Sequence, residues 1–187
     1  MMIFLLRSIV LILFVSLIGC QQNTTSTEKL TTEAGIEDFV EPEPSDWVKY
    51  LTPVREYMYY RTQAVVNKDI HILWDHYPDL KENVDHKQGV NIEKYEVESL
   101  NQNVNLLDAN YNIEDYERIK VKSINDNNVE VLIHASMNYL RDDFDESGGE
   151  YLIKLFLEHK NDHWTVVKTD EYTLPEYKEW MKEKEQI

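Results

Sequence analysis

The sequence predicts an α+β domain in which N-terminal helices pack on an antiparallel sheet. Apolar residues recur at helical spacing between residues 47 and 100, and they alternate with polar residues between residues 111 and 169. Short turn motifs separate the alternating segments, which indicates strands joined one after another as hairpins. We therefore expect N-terminal helices on an antiparallel sheet, followed by a short C-terminal helix.

Three segments are predicted as helices in the first half of the chain. Thr52 and Pro53 have the form of an N-cap followed by proline at the first helical position. The core-facing positions of this first helix are Val54, Tyr57, Met58, Arg61, Ala64 and Val65. Asp69 caps a second, short helix that ends near Pro78, with Ile70, Leu73, Trp74 and Tyr77 as its apolar positions. A third, weaker helix is predicted over residues 91–100, with Ile92, Tyr95, Val97 and Leu100 as its apolar positions.

The second half of the chain predicts strands. Ile119 and Val121 alternate with charged residues, and residues 125–128 are predicted to form a hairpin turn. The clearest strand places on one face Val129, Val131, Ile133, Ala135, Met137 and Tyr139. A turn at residues 142–149 leads to a strand with Tyr151, Ile153, Leu155 and Leu157 on one face. A turn at Asn161-Asp162 leads to a strand with Trp164, Val166 and Lys168 opposite Thr165, Val167 and Thr169. Pro175 then opens the last helix, in which Tyr177, Trp180 and Met181 are expected to pack back.

The N-terminus has the layout of a secretory signal peptide. Arg7 precedes an apolar run from Ile9 to Ile18, which is too short to span a bilayer comfortably. The run ends in Leu17-Ile18-Gly19-Cys20, which resembles the lipobox of bacterial lipoproteins. The resemblance implies cleavage between Gly19 and Cys20, a diacylglyceryl thioether on Cys20, and a protein anchored by lipid on the extracytoplasmic face of the cell membrane.

The chain is accordingly divided into a signal peptide at residues 1–19, a tether at 20–45 and a single α+β domain at 46–187. The tether is polar and ends in Glu41-Pro42-Glu43-Pro44, so it cannot bury enough apolar surface to order its backbone. Within it, Phe39 and Val40 could dock locally on the domain.

Charge and cysteine usage exclude several functions. The formal net charge is −16, and loss of the signal peptide removes one positive charge, so nucleic-acid binding is not expected and membrane contact should come through lipid alone. Basic peptides or cations are compatible partners, but the charge is better explained by a solvated acidic surface. The chain holds 1 cysteine, and its lipidation would leave no thiol for disulfides, metal sites or nucleophilic catalysis. No cofactor is predicted.

The order of elements resembles the nuclear-transport-factor-2-like fold. The segment Asp162-His163-Trp164-Thr165-Val166-Val167-Lys168 is similar to the final strand of many such domains, in which a charged turn precedes a Trp and alternating Val residues. The resemblance covers residues 47–172 and implies a sheet curved around a long helix into a cone that can hold a ligand pocket. The same scaffold hosts isomerases, dehydratases, dimerisation modules and inert accessory domains.

A pocket enzyme on this scaffold would need a carboxylate or histidine inside the cone and a nearby oxyanion-stabilising donor. The candidates for a pocket are His134, Tyr139, Asp170 and Tyr172. None lies in a catalytic motif, so no catalytic residue is predicted. His134 lies on the more polar face of its strand and is expected to be partly exposed, and Asp170 and Glu171 are expected at the solvated start of the loop before Pro175.

No metal site is predicted. His71 and His76 are five residues apart, which does not bring them together on one helical face. Asp143, Asp145, Ser147 and Gly148 match the opening of a calcium loop, but Lys154 stands where the bidentate Glu would be required. We interpret this segment as an acidic hairpin loop.

The leading functional hypothesis is a lipid-anchored extracytoplasmic binding or interaction module without catalysis. The alternatives are a small-molecule pocket enzyme of the isomerase or dehydratase type, and a ligand carrier on the same fold. A buried carboxylate or histidine lining a closed pocket would favour the enzyme, whereas a cone filled by aromatic side chains would favour the module.

Overall fold

The computed structural model describes residues 38–85, 89–113 and 119–172, together with Lys178 and Lys182. These residues belong to one compact unit, Ile36–Ile187. The predicted signal peptide, Cys20 and most of the tether lie outside the described residues, as do Tyr177, Trp180 and Met181 of the predicted last helix. Lys178 and Lys182 themselves are helical.

Helix α1 spans Trp47–Val66 and buries the face that the sequence predicts. All six predicted core positions, from Val54 to Val65, are buried. Its predicted start was wrong, because the helix continues through Pro53 and begins at Trp47. The Thr52 hydroxyl donates to the Val48 carbonyl at 3.0 Å, a side-chain bond within the helix near the point where proline removes one backbone donor.

Three short elements follow α1. They are α2 at His71–Trp74, a 3₁₀ helix at Pro78–Glu82 and α3 at Ile92–Leu100. Asn91 caps α3 by accepting a hydrogen bond from the Lys94 amide at 2.9 Å.

Helix α3 buries Ile92 and Val97 as predicted, but one of its predicted apolar positions, Tyr95, faces water. Tyr95 is 58% exposed, while Glu93 and Glu96 are buried beside Ile92 and Val97. The apolar positions alone therefore gave the wrong orientation for Tyr95, because the helix buries two carboxylates.

Among the described residues, five antiparallel strands form one sheet. They are β1 (Leu106–Ile113), β2 (Ile119–Asn125), β3 (Asn128–Arg141), β4 (Glu146–Lys160) and β5 (His163–Tyr172). The order is β1-β3-β4-β5, and β2 also pairs with β3. Since β1 pairs with residues 135–141 of β3 and β2 with residues 128–133, the two pair with successive parts of β3. The predicted fold class, helices on a curved antiparallel sheet, is confirmed.

The inner face of the sheet forms the main core with α1. The six predicted inward positions of β3, from Val129 to Tyr139, are all buried. Ile153, Leu155 and Leu157 of β4 join the same core. Burial of each large apolar side chain contributes about 1.5–3 kcal/mol, so this face is the principal source of stability.

A β-bulge in β5 overturns the predicted alternation of the last strand. Phe156 pairs with Lys168 but Leu157 pairs with Val166, so Val167 is an extra residue. Val166 points inward as predicted, but beyond the bulge the phase changes, which leaves Lys168 exposed and Thr169 buried. The bulge thereby places Thr169 and Glu171 on the inner side of the sheet.

The segment before α1, which the sequence assigns to the tether, docks on the outer face of the sheet through Phe39 and Val40. Phe39 is 6% exposed and packs on Leu132 and Leu152. Val40 exchanges two backbone hydrogen bonds with Val121, of 2.9 and 2.7 Å. The folded region thus includes residues of the predicted tether, and β2 is not left as a fully open edge.

Gly148 allows a close approach between β3 and β4. Its φ is +120°, and an added Cβ would lie 2.0 Å from the Met137 carbonyl oxygen. Glycine in a strand marks such approaches and local bends.

We expect Gly148→Ala to lower the free energy of unfolding by at least about 2 kcal/mol, because it adds a backbone clash at an unfavourable φ. Gly149→Ala is the matched control, since an added Cβ there meets nothing within 4 Å. Urea unfolding of both variants tests this. Equal stability of the two variants would contradict it.

Candidate functional site

The structure does not bring the four predicted pocket residues together. Tyr139 points into the core on the inner face of the sheet. His134 and Tyr172 lie on the outer face, each paired with Leu152 across neighbouring strands. Asp170 is on the same outer face, with its carboxylate 3.5 Å from the Lys154 ammonium.

Two of these residues are more buried than the sequence predicts. His134 is 1% exposed, with Nε2 3.5 Å from Glu150, and Asp170 is 9% exposed. The prediction of a partly exposed His134 was wrong because the outer face carries its own small apolar cluster, which includes Phe39 from the N-terminal segment.

A buried polar cluster lies instead between α1, α3 and the inner face of the sheet. We call it the Arg61 cluster, and it comprises Tyr57, Arg61, Asn83, Glu93, Glu96, Tyr139, Thr169 and Glu171.

Each nitrogen of the Arg61 guanidinium donates a hydrogen bond within the cluster. Nε binds Glu96 Oε2 at 2.7 Å, one Nη binds the Tyr57 hydroxyl at 3.2 Å, and the other binds Glu171 Oε2 at 2.9 Å. The second oxygen of Glu96 accepts from the Tyr139 hydroxyl at 3.1 Å. Arg61 is 2% exposed, so this network links α1, α3, β3 and β5 in the protein interior.

Glu93 accepts a second group of hydrogen bonds in the cluster, besides the group around Arg61. Its Oε1 accepts from the Tyr57 hydroxyl at 3.0 Å and also from the Thr169 hydroxyl. Thr169 Oγ1 in turn accepts from Asn83 Nδ2 at 2.8 Å. Glu93 Oε2 is buried and has no hydrogen-bond partner among the described residues. Tyr57 links the two groups of hydrogen bonds, because its hydroxyl contacts both Arg61 and Glu93.

Burial and charge shift the pKa of the tyrosines and of Arg61 in this part of the interior. Burial raises the pKa of Tyr57 and Tyr139 well above the ordinary phenol value, and neighbouring carboxylates raise both further. Burial also raises the pKa of Tyr151 to about 12. Burial alone would lower the pKa of Arg61, but the carboxylates led by Glu96 raise it, so Arg61 remains a cation.

Glu171 is the member of the cluster with the greatest access to water. Its side chain is 17% exposed. Burial raises its pKa, and although the Arg61 cation opposes this, the nearby carboxylates of Glu96 and Glu93 raise it further. Three carboxylates compete for one guanidinium, which explains why the Arg61 contact does not reverse the effect of burial.

The hydrogen bonds within the Arg61 cluster favour a structural role for its side chains over a role in proton transfer. The guanidinium and phenols are engaged with one another and with the carboxylates, and none of the described histidines belongs to the cluster. A general base needs a titrating group within reach of a substrate proton, and within the cluster Glu171 comes nearest to this requirement.

Sequence reasoning missed most of the cluster. It placed Arg61 on the buried face of its helix but assigned it no partner. Glu93 and Glu96 are three residues apart between Ile92 and Val97, a spacing that puts both carboxylates on one helical face. That spacing, taken with Arg61 on an apolar face, was the available signal. The prediction that Glu171 lies in the solvated loop before Pro175 was wrong, because the bulge in β5 turns both Thr169 and Glu171 to the inner side of the sheet.

The other sequence motifs have different surroundings. Asp143 lies in the β3–β4 turn and pairs with Arg141 at 2.6 Å, as an acidic hairpin loop would. His71 meets Trp74 edge-on and His76 stacks on Tyr60. Within residues 38–85, 89–113 and 119–172, no three His, Cys, Asp or Glu side chains converge as metal ligands. Among the described helices, none has the length and apolar character needed to cross a bilayer.

Comparison with known proteins shows the fold alone. No family model matches the chain. No curated protein matches it either. Among solved structures, Aln2 from a Streptomyces species has a TM-score of 0.51 at 7% identity, over 75% of this chain and 99% of Aln2.

Two further solved structures have lower TM-scores. An NTF2-like superfamily protein from Salmonella enterica serovar Typhimurium has a TM-score of 0.46 at 8% identity, over 68% of this chain and 92% of its own. The association domain of C. elegans CaMKII has a TM-score of 0.46 at 12% identity, over 70% of this chain and all (100%) of its own.

We expect Arg61→Leu to lower the free energy of unfolding by about 3–5 kcal/mol, because it leaves buried carboxylates without their cation. Arg55→Leu, on the exposed side of the same helix, is the matched control and should change stability little. Urea denaturation measures both. A loss below about 1 kcal/mol for Arg61→Leu would contradict a central role for the cluster.

Glu171→Gln should flatten the dependence of stability on pH. The folded protein holds the Glu171 proton more tightly than the unfolded chain does, so Glu171 costs stability as pH rises from its ordinary pKa of 4.5 through the raised value. Glutamine keeps an acceptor for Arg61 but does not titrate. In urea unfolding between about pH 4 and pH 8, the free energy of unfolding of the variant should increase relative to that of the wild type as pH rises. Glu98→Gln, at an exposed position, is the control, and a parallel pH dependence of wild type and Glu171→Gln would contradict the assignment.

Proposed function

We propose that the chain is a lipid-anchored extracytoplasmic protein whose single domain acts as a non-catalytic interaction module. The observation that carries the absence of catalysis is the internal engagement of the Arg61 cluster. Each guanidinium nitrogen and both phenol hydroxyls of Tyr57 and Tyr139 already have partners in the cluster. A ligand that used these groups would have to displace a buried carboxylate.

Aromatic and apolar side chains support the same proposal. Tyr57, Met58, Met137 and Tyr139 are all fully buried where a ligand pocket of the cone would lie. Their packing, together with the ion pairs, gives the inner face of the sheet a structural role. Binding would then take place on the outer surface of the domain.

The proposed anchor rests on the sequence. The apolar run ending at Leu17-Ile18-Gly19-Cys20 supports lipidation of Cys20 after export. Because Phe39 is packed on the sheet and Asp38 pairs with Lys122 at 2.7 Å, the proposed tether would comprise residues 21–37, which reaches about 20–25 Å if it is flexible. That length would hold the domain close to the membrane surface.

A pocket enzyme or ligand carrier is the second candidate, and Glu171 is the observation that favours it. A partly exposed carboxyl with a raised pKa, beside an arginine, is the kind of group that an isomerase or dehydratase uses as a general acid. The candidate would require a ligand that reaches Glu171 from solvent.

Native mass spectrometry of the protein gently extracted from its own membrane, beside the Cys20→Ser form, tests both parts of the proposal. We expect the wild type to carry the mass of a diacylglyceryl group and to be extracted with a protein partner. We expect Cys20→Ser to be soluble and to carry neither lipid nor small molecule.

Two results would contradict the proposal. Membrane retention of Cys20→Ser would contradict the proposal that lipid on this cysteine anchors the protein. A small molecule bound to both forms, and lost in Glu171→Gln, would favour the enzyme or carrier.

A further inference from the structure

The turn between β3 and β4 presents an aromatic side chain to solvent. Phe144 is 81% exposed, the highest value among the large hydrophobic side chains of the described residues. A phenylalanine ring gains a large favourable free energy when it leaves water. At this position the gain is not realised within the domain.

The backbone at Phe144 is also unfavourable for a bulky side chain. Its φ is +65°, in the left-handed region where Gly, Asn and Asp are favoured. Among the described residues, three of the other four non-glycine positions with positive φ are Asn103, Asn161 and Asp162. Neither burial nor backbone preference therefore accounts for phenylalanine at this turn.

Hydrogen bonds hold the turn in one shape. The Phe144 amide donates to the Arg141 carbonyl at 3.0 Å, and the Arg141 amide donates to the Asp145 carbonyl at 2.9 Å. The Asp142 amide donates to the Asn105 carbonyl at 2.8 Å, and Asn105 Nδ2 donates back to the Asp142 carboxylate at 2.9 Å. The turn is thus fastened to the chain just before β1, so little ordering would be needed when Phe144 is buried by a partner.

Acidic residues flank Phe144 in the sequence of the turn. Within residues 141–146, four carboxylates accompany one guanidinium, that of Arg141, which is paired with Asp143 at 2.6 Å. An apolar anchor with an acidic rim is complementary to an apolar socket with a basic rim. The same carboxylates oppose insertion into an anionic lipid surface.

We propose that residues 141–146 are a contact site for a partner protein that offers an apolar socket rimmed by lysine or arginine, with Phe144 as the anchor. The inference rests on the proposed interaction module and names its contact surface. It assigns no role to the Arg61 cluster.

Photo-crosslinking in the native membrane tests the proposal. The probe is p-benzoylphenylalanine, placed at position 144 of the full-length protein and, as a matched control, at the exposed Tyr95 of α3. We expect a single protein adduct from position 144 that is absent from position 95 and weakens at high salt. Excess Cys20→Ser protein should abolish the adduct, whereas the same protein with Phe144→Asn should leave it unchanged.

The Phe144→Asn competitor must remain folded for this comparison. Because asparagine suits positive φ, its midpoint of thermal unfolding should be no lower than that of the parent, and about 2–4 °C higher if the strain is relieved. Competition by Phe144→Asn as strong as that of the parent would overturn the role of the ring.

Other outcomes also overturn the contact site. A lipid adduct at position 144 would show that the turn contacts the membrane and not a protein. Equal protein adducts at positions 144 and 95 would show that the turn is not a specific contact site. If no adduct forms while native mass spectrometry still finds a protein partner, the proposed contact site is wrong but the proposed interaction module is still supported. If a bound small molecule is found with no protein partner, the module fails as well.

Discussion

The Arg61 guanidinium is the buried cation on which the interior of this domain depends. Its desolvation is offset only if carboxylates and hydroxyls reach it at hydrogen-bond distance. Glu96, Glu171 and Tyr57 do so from α3, β5 and the preceding turn of α1 itself. The position of each element is therefore tied to the same charged group, in addition to the apolar packing around it.

One irregularity of the sheet makes this network possible. The extra residue at Val167 reverses the phase of β5, so that Thr169 and Glu171 point inward. A regular alternation would have placed Lys168 on the inner face of the sheet with Val166. The bulge thus decides which side chains of β5 join the buried network.

Much of the fold could be predicted from the sequence, because it follows from local periodicity. The buried face of α1, the inward face of β3 and the tight turn at Asn161-Asp162 agree with the structure. The site could not be predicted in the same way. His134 is buried on an outer face that Phe39, more than 90 residues away in sequence, helps to cover, and Glu93 and Glu96 contradict the rule that charged residues face water. Long-range pairing and a strand bulge leave no periodic signal.

NMR of the Arg61 guanidinium in the soluble Cys20→Ser protein tests the central claim most directly. A structural cluster predicts an Arg61 Nε–H resonance that exchanges slowly with water and does not shift when small carboxylates or inorganic phosphate are added. Rapid exchange of that proton, or a saturable shift with an added anion, would contradict it, because Arg61 would then be available to a ligand.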